Sequence, residues 1–118
     1  MIYKCDMKEK QLPEARHIVR RLLGTFSRGY PVEKRNRILG RRNIWGLYDC
    51  DNERVLIRRG LLHYEQRRTL IHEGIHALYP PDKFPHATED AVEAKTLEID
   101  KQLDEEKKRR FSFYIPPD

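Results

Sequence analysis

The chain has 118 residues and carries 24 Lys+Arg against 19 Asp+Glu, a formal charge of +5, with 36% charged and 38% hydrophobic residues. That length suits one domain and excludes a two-domain enzyme with a separate cofactor domain. No run of about 18 apolar residues exists, which excludes a membrane-spanning helix, and six Tyr, four Phe and one Trp argue against a disordered tail.

Met1–Asp6 lacks the basic-then-apolar order of a secretory signal, so a cytoplasmic protein is expected. Cys5 and Cys50 are too far apart for a metal knuckle and read as unrelated thiols. Pro13 suits a helix start, and Ala15, Ile18, Val19, Leu22, Leu23 and Phe26 recur at i, i+3, i+4, i+7 spacing. This predicts an amphipathic helix over 13–26, ended by Gly29-Tyr30-Pro31. Asn36–Leu39 reads as a short strand. Asn43–Tyr48 and Arg54–Arg58 read as an antiparallel hairpin around the polar turn Asp49–Glu53. The acids of that turn lack the spacing and closing Glu of a calcium loop.

A second helix is predicted over 62–78, stopped by Pro80-Pro81. Thr88 suits the N-cap of a third, with Glu89 and Asp90 in its first turn. That helix is expected to run to Arg110, with Asp104–Lys108, Glu105–Arg109 and Glu106–Arg110 as i,i+4 pairs. The expected fold is α+β: an N-terminal helix, a small antiparallel sheet, two further helices in a domain of residues 1–110, and an extended C-terminal tail over 111–118.

The second helix carries His72-Glu73-Gly74-Ile75-His76, an HExxH pattern. Two His four residues apart project from one helix face and can bind one zinc ion. Glu73, next to His72, is placed to orient a zinc-bound water and take its proton. The resulting nucleophile attacks a peptide carbonyl, and Glu73 then passes the proton to the leaving amine. Leu70, Ile71, Ile75 and Leu78 supply the buried face of the same helix.

The stretch Leu70–Leu78 resembles the active-site helix of zincin metallopeptidases. The layout of helix, small sheet, HExxH helix and acidic helix resembles the gluzincins. The short length is similar to the minimal soluble gluzincins, or minigluzincins, related to the catalytic domains of HtpX-like membrane peptidases. The resemblance implies a metallopeptidase with one zinc ion and a peptide or protein substrate. It also implies a Glu ligand on the next helix, with an acid four residues later that orients the first His. Glu89 and Glu93 fit that pattern, and Glu89 shares the core phase of Val92, Thr96, Ile99 and Leu103. Glu93 and His86 remain alternatives for the third ligand, and Glu93 is otherwise the partner of His72.

The resemblance further implies latency through the C-terminal segment. Phe111–Asp118 is apolar and Pro-containing, so Tyr114 and Asp118 become candidates for a pseudo-substrate lying in the cleft, with the Asp118 carboxylates reaching zinc. Tyr79, Tyr114 and His86 are weaker candidates for stabilising an oxyanion. His17 and His63 read as surface residues. If Arg54–Arg58 is an edge strand, it can pair with an extended substrate. The competing reading is a basic nucleic-acid-binding module. It rests on Arg35, Arg37, Arg41, Arg42, Arg58 and Arg59, and a nucleic-acid partner is disfavoured because no recognition motif accompanies them. A zincin acting on DNA-associated proteins, as in repressor-cleaving proteases of the ImmA type, combines the two.

Overall fold

The computed structural model describes residues 11–118; the expectations for Met1–Asp6 and Cys5 fall outside them. The elements are α1 (Ala15–Ser27), β1 (Val32–Arg35), β2 (Gly46–Asp49), β3 (Arg54–Arg58), α2 (His63–Leu78), α3 (Glu89–Gln102) and α4 (Glu105–Phe113). This is an α+β fold, with helices packed on a small three-stranded mixed sheet.

The apolar stripe of α1, from Ala15 to Phe26, is buried as its spacing predicts. Gly29, at φ 94°, turns the chain out of the helix into β1, a conformation that favours glycine. Gly74 is also required, because a Cβ there would meet Leu22 Cδ2 at 2.7 Å, and its absence lets α1 pack closely on α2. Ile18, Leu22, Leu70, Ile71, Ile75, Val92 and Ile99 fill the space between these helices.

The strand order is β1-β3-β2, with β1 parallel and β2 antiparallel to β3. Three expectations are corrected here. The sheet is mixed rather than antiparallel. Arg54–Arg58 is its central strand rather than an edge: Val55, Leu56 and Ile57 are all buried, and an apolar run on both faces belongs in the middle of a sheet. The first strand is Val32–Arg35, not 36–39. Leu39 and Gly40 have φ of 51° and 72°, and Ile38 and Arg41 exchange backbone hydrogen bonds of 2.9 Å around them. That is a two-residue hairpin turn, which no extended strand can contain. The turn after β2 is the ordinary polar turn its sequence suggests. Asp49 accepts from Asn52 and Arg54, and Arg54 also reaches Glu33, so one guanidinium ties all three strands.

Helix α2 begins where the Glu65 carboxylate accepts the Leu62 N–H at 2.8 Å. It ends at Leu78 before the two prolines. Tyr79 then turns inward. It is buried, packs edge-to-face on Phe84 and accepts a hydrogen bond from Arg21 at 3.1 Å. Thr88 caps α3 through the Ala91 N–H.

Helix α3 stops at Gln102 rather than running on to Arg110. Leu103 adopts an extended conformation, and Asp104 caps a new helix through the Lys107 N–H at 2.8 Å. An Asp with free donors three residues on is a better helix start than a helix interior. The expected i,i+4 pairs give way to i,i+3 contacts, Asp104–Lys107 and Glu105–Lys108. The bend brings Phe111 fully into the core.

The tail is corrected as well. Residues 111–113 are helical, and the Tyr114 ring lies against Phe26. The Asp118 carboxylate binds the ammonium of Lys34 and the Gly60 N–H. Its last residues thus lie beside Lys34, His63 and Gln66. No helix among the described residues is long and apolar enough to cross a membrane.

Candidate metal centre

His72, Glu73 and His76 stand on α2; Glu89 and Glu93 stand on the first two turns of α3. The Glu89 carboxylate bridges the histidines, with Oε2 3.0 Å from His72 Nε2 and Oε1 2.7 Å from His76 Nε2. Glu93 Oε1 lies 3.4 Å from His72 Nδ1. One ligand atom from each of His72, His76 and Glu89 falls within 4.8 Å of the others. His76 Nε2 is buried, and the Glu89 oxygen is its polar neighbour at 2.7 Å. The Glu89 carboxylate thus draws the two imidazole nitrogens together, and the three ligand atoms face one small space. Two imidazole nitrogens and one carboxylate oxygen suit zinc, and three protein ligands leave a fourth position for chemistry.

The charges fit a cation. Burial pushes His76 below its usual pKa, against the pull of Glu89, so the neutral, ligating form is favoured. Glu89 is held below the usual carboxylate range: partial burial opposes this, but the two imidazoles outweigh it. Burial pushes Glu73 up to about 7, helped by Glu89 and Glu93 and opposed by His72 and a hydrogen bond from the Tyr48 N–H. Glu89, held ionised between two imidazoles, leaves negative charge that a divalent ion would balance.

A groove of about 330 Å³ opens beside His72 and Glu73, lined by Trp45, Gly46, Thr69, Arg68, Glu93 and Leu97. Gly46 makes its wall possible. A Cβ there would overlap Thr69 Cγ2 and meet the Leu56 carbonyl oxygen at 2.8 Å, so only glycine lets β2 lie flat on α2.

Several of these residues have no signal in the HExxH pattern. The Asp100 carboxylate accepts from Arg67 Nε at 2.7 Å and Arg68 Nε at 2.8 Å, clamping α3 to α2. A clue was present: Asp100 lies four residues after Thr96 and seven after Glu93, a charge in the buried phase of its helix, which calls for a partner. Of the remaining candidates, His86 packs against Phe84 and is not in the ligand cluster. Tyr79 and Tyr114 serve the core, and His17 and His63 are exposed. No protein-family model, curated protein or solved structure matches the chain.

Proposed function

We propose that this chain is a zinc-dependent metallopeptidase, with His72, His76 and Glu89 as ligands and Glu73 as general base. The observation that carries the reading is the convergence of one atom from each of those three ligands within 4.8 Å, two of them from an HExxH helix. Bound there, zinc supplies a Lewis acid that polarises a peptide carbonyl and acidifies water. Glu73 takes the proton from the attacking water and returns it to the leaving amine. Without the ion, burial raises the Glu73 carboxyl to about 7; a bound cation would draw it back toward the ionised form that a base needs. The Tyr48 N–H fixes its direction. Glu93 takes the Nδ1–H of His72, which holds the imidazole with its Nε2 lone pair toward the ligand position.

The edge for substrate is β2 rather than Arg54–Arg58. Trp45 accepts from the Arg58 N–H, and with the antiparallel register this turns the backbone groups of Gly46 and Tyr48 away from β3; with the Tyr48 N–H donated to Glu73, the Gly46 N–H and the Gly46 and Tyr48 carbonyls face a substrate. An extended peptide can pair with that side.

The test is metal content of protein purified without added zinc. One zinc per chain is expected for the wild type and for Glu73→Gln, which should retain metal and lose cleavage. Loss of zinc is expected for His72→Ala, His76→Ala and Glu89→Ala. Glu93→Gln should keep zinc with affinity weakened about 10–100-fold, the usual effect of removing a group that orients a ligand. A wild type that takes up no zinc and gains no thermal stability from it would overturn the proposal.

A further inference from the structure

The hairpin and the strand beside it are sorted by charge. Strands β1 and β3 both end in arginine, with Arg35 opposite Arg58 in register. The Arg59 N–H bonds the Arg35 carbonyl, and the Arg59 side chain bonds Asn36. The Ile38–Arg41 turn folds the intervening loop back toward β2, where Trp45 bonds Arg58. One end of the sheet therefore gathers Arg35, Arg37, Arg41, Arg42, Arg58 and Arg59. Arg35 pairs with Glu33; the other five have no ion-pair partner among the described residues, and Arg37, Arg41, Arg42 and Arg59 are exposed. The opposite end of β2 carries Asp49, Asp51 and Glu53, the last two also exposed.

This basic end adjoins the groove. Trp45, 40% exposed, lines the groove at one edge and bonds Arg58 at the other. A peptide lying along the outer side of β2 leaves the groove over Trp45 and meets Arg41 and Arg42. In the other direction it meets the acidic turn.

We propose that the arginine end of the sheet is a docking surface for acidic side chains of the peptide substrate, on one side of the groove only. This rests on the metallopeptidase reading for its occupant. The position of the arginines at the end of the edge strand, joined to the groove through Trp45, favours an extended peptide that pairs with that strand as their occupant over a nucleic-acid duplex, which cannot add to a sheet edge. Charges at such a rim act chiefly on association and specificity, and they are screened by salt.

The test uses full-length, zinc-loaded Glu73→Gln protein and four fluorescein-labelled eight-residue peptides: acidic at the N-terminal end, acidic at the C-terminal end, uncharged, and basic at both ends. A mixed-sequence 20-base-pair DNA duplex is a fifth probe. One of the two singly acidic peptides should bind tightest by anisotropy and weaken as salt rises. Arg41→Glu/Arg42→Glu should lower its preference over the uncharged peptide by about fivefold or more, the scale of two reversed rim charges. Arg37→Glu serves as a second variant if the first melts early. Equal binding of all peptides, binding of none, or equal binding of the two acidic ones overturns the proposal. So does DNA that binds more tightly than any peptide and displaces them. Wild-type cleavage without acidic preference leaves the peptidase reading standing and removes the docking surface. Oriented acidic preference without cleavage of any peptide does the reverse.

Discussion

The Asp100 carboxylate on α3 lies 2.7 Å from Nε of Arg67 on α2, one turn and a half before His72, and its other oxygen takes Arg68. The site needs two helices held at fixed separation, because its histidines and its glutamates stand on different ones. Asp100 supplies that fixation from a nearly buried position, 8% exposed.

Asp100→Asn should therefore destabilise the protein by about 2 kcal/mol, the order of hydrogen bonds made to a charged group. Its pH dependence has a definite sign. Burial raises the Asp100 pKa, but the hydrogen bonds from Arg67 and Arg68 outweigh it, and the folded value lies below the ordinary one. A depressed carboxylate stabilises the fold above its unfolded pKa and loses that contribution as pH falls through the folded value. In urea melts with chelator present, the gap between wild type and variant should be full at pH 6–7. It should close below about pH 4, near the unfolded Asp value. A gap that stays constant down to pH 3 would mean that Asp100 contributes nothing through its charge.

Gly46→Ala should lift β2 off α2. The added methyl has no space between Thr69 and the Leu56 carbonyl, and overpacking of this kind costs about 1–3 kcal/mol. The lift also draws the Tyr48 N–H from Glu73, so cleavage should fall further than stability accounts for. Thr69→Ala in the same chain should recover only part of the melting temperature, since the clash with the backbone oxygen of Leu56 remains. Full recovery would show that the side chain of Thr69 alone sets the limit.

The Lys34 side chain is 3% exposed and is paired with Asp118. Asp118→Asn leaves a buried ammonium without its counter-ion, which should lower the melting temperature by several degrees, while Lys34→Met/Asp118→Asn should restore most of it. Cleavage by Asp118→Asn should not rise above wild type, because the carboxylate is held at Lys34 and Gly60. A rise would return the tail to the cleft. Removing everything after Arg110 does not test this, as it also removes the fully buried Phe111.

Much of the site could be read from the sequence because it is helical. Positions four apart share a face whatever surrounds them, so His72 and His76 could be paired by spacing alone, whereas Glu89 and Glu93 are singled out through the resemblance. The third ligand could not be chosen among Glu89, Glu93 and His86 in that way. The choice depends on where α3 begins after the short link, and Thr88 and the packing of Tyr79 on Phe84 set that. The sheet was less legible. β1 contains a single apolar residue, Val32, and becomes a strand because Val55–Arg58 offers it a partner. The break at Leu103 was hidden because Asp104 fits equally a helical ion pair and a cap; burial of Leu103 and Phe111 decides between them.

The link from Tyr79 to Thr88 bears on which ion the proposed centre would accept. Tyr79 is pinned by Arg21 and Phe84, and the Arg67–Asp100 pair limits how far α3 can swing away. The three donors are thus held close, with little slack. Zinc takes nitrogen and oxygen ligands at about 2.0–2.2 Å in a four-coordinate shell. Calcium needs six to eight oxygens at about 2.3–2.6 Å. In the proposed zinc site, a short, pinned link and two imidazoles would select for a small ion of low coordination number, and the discrimination would come from the connection between the helices as much as from the ligands.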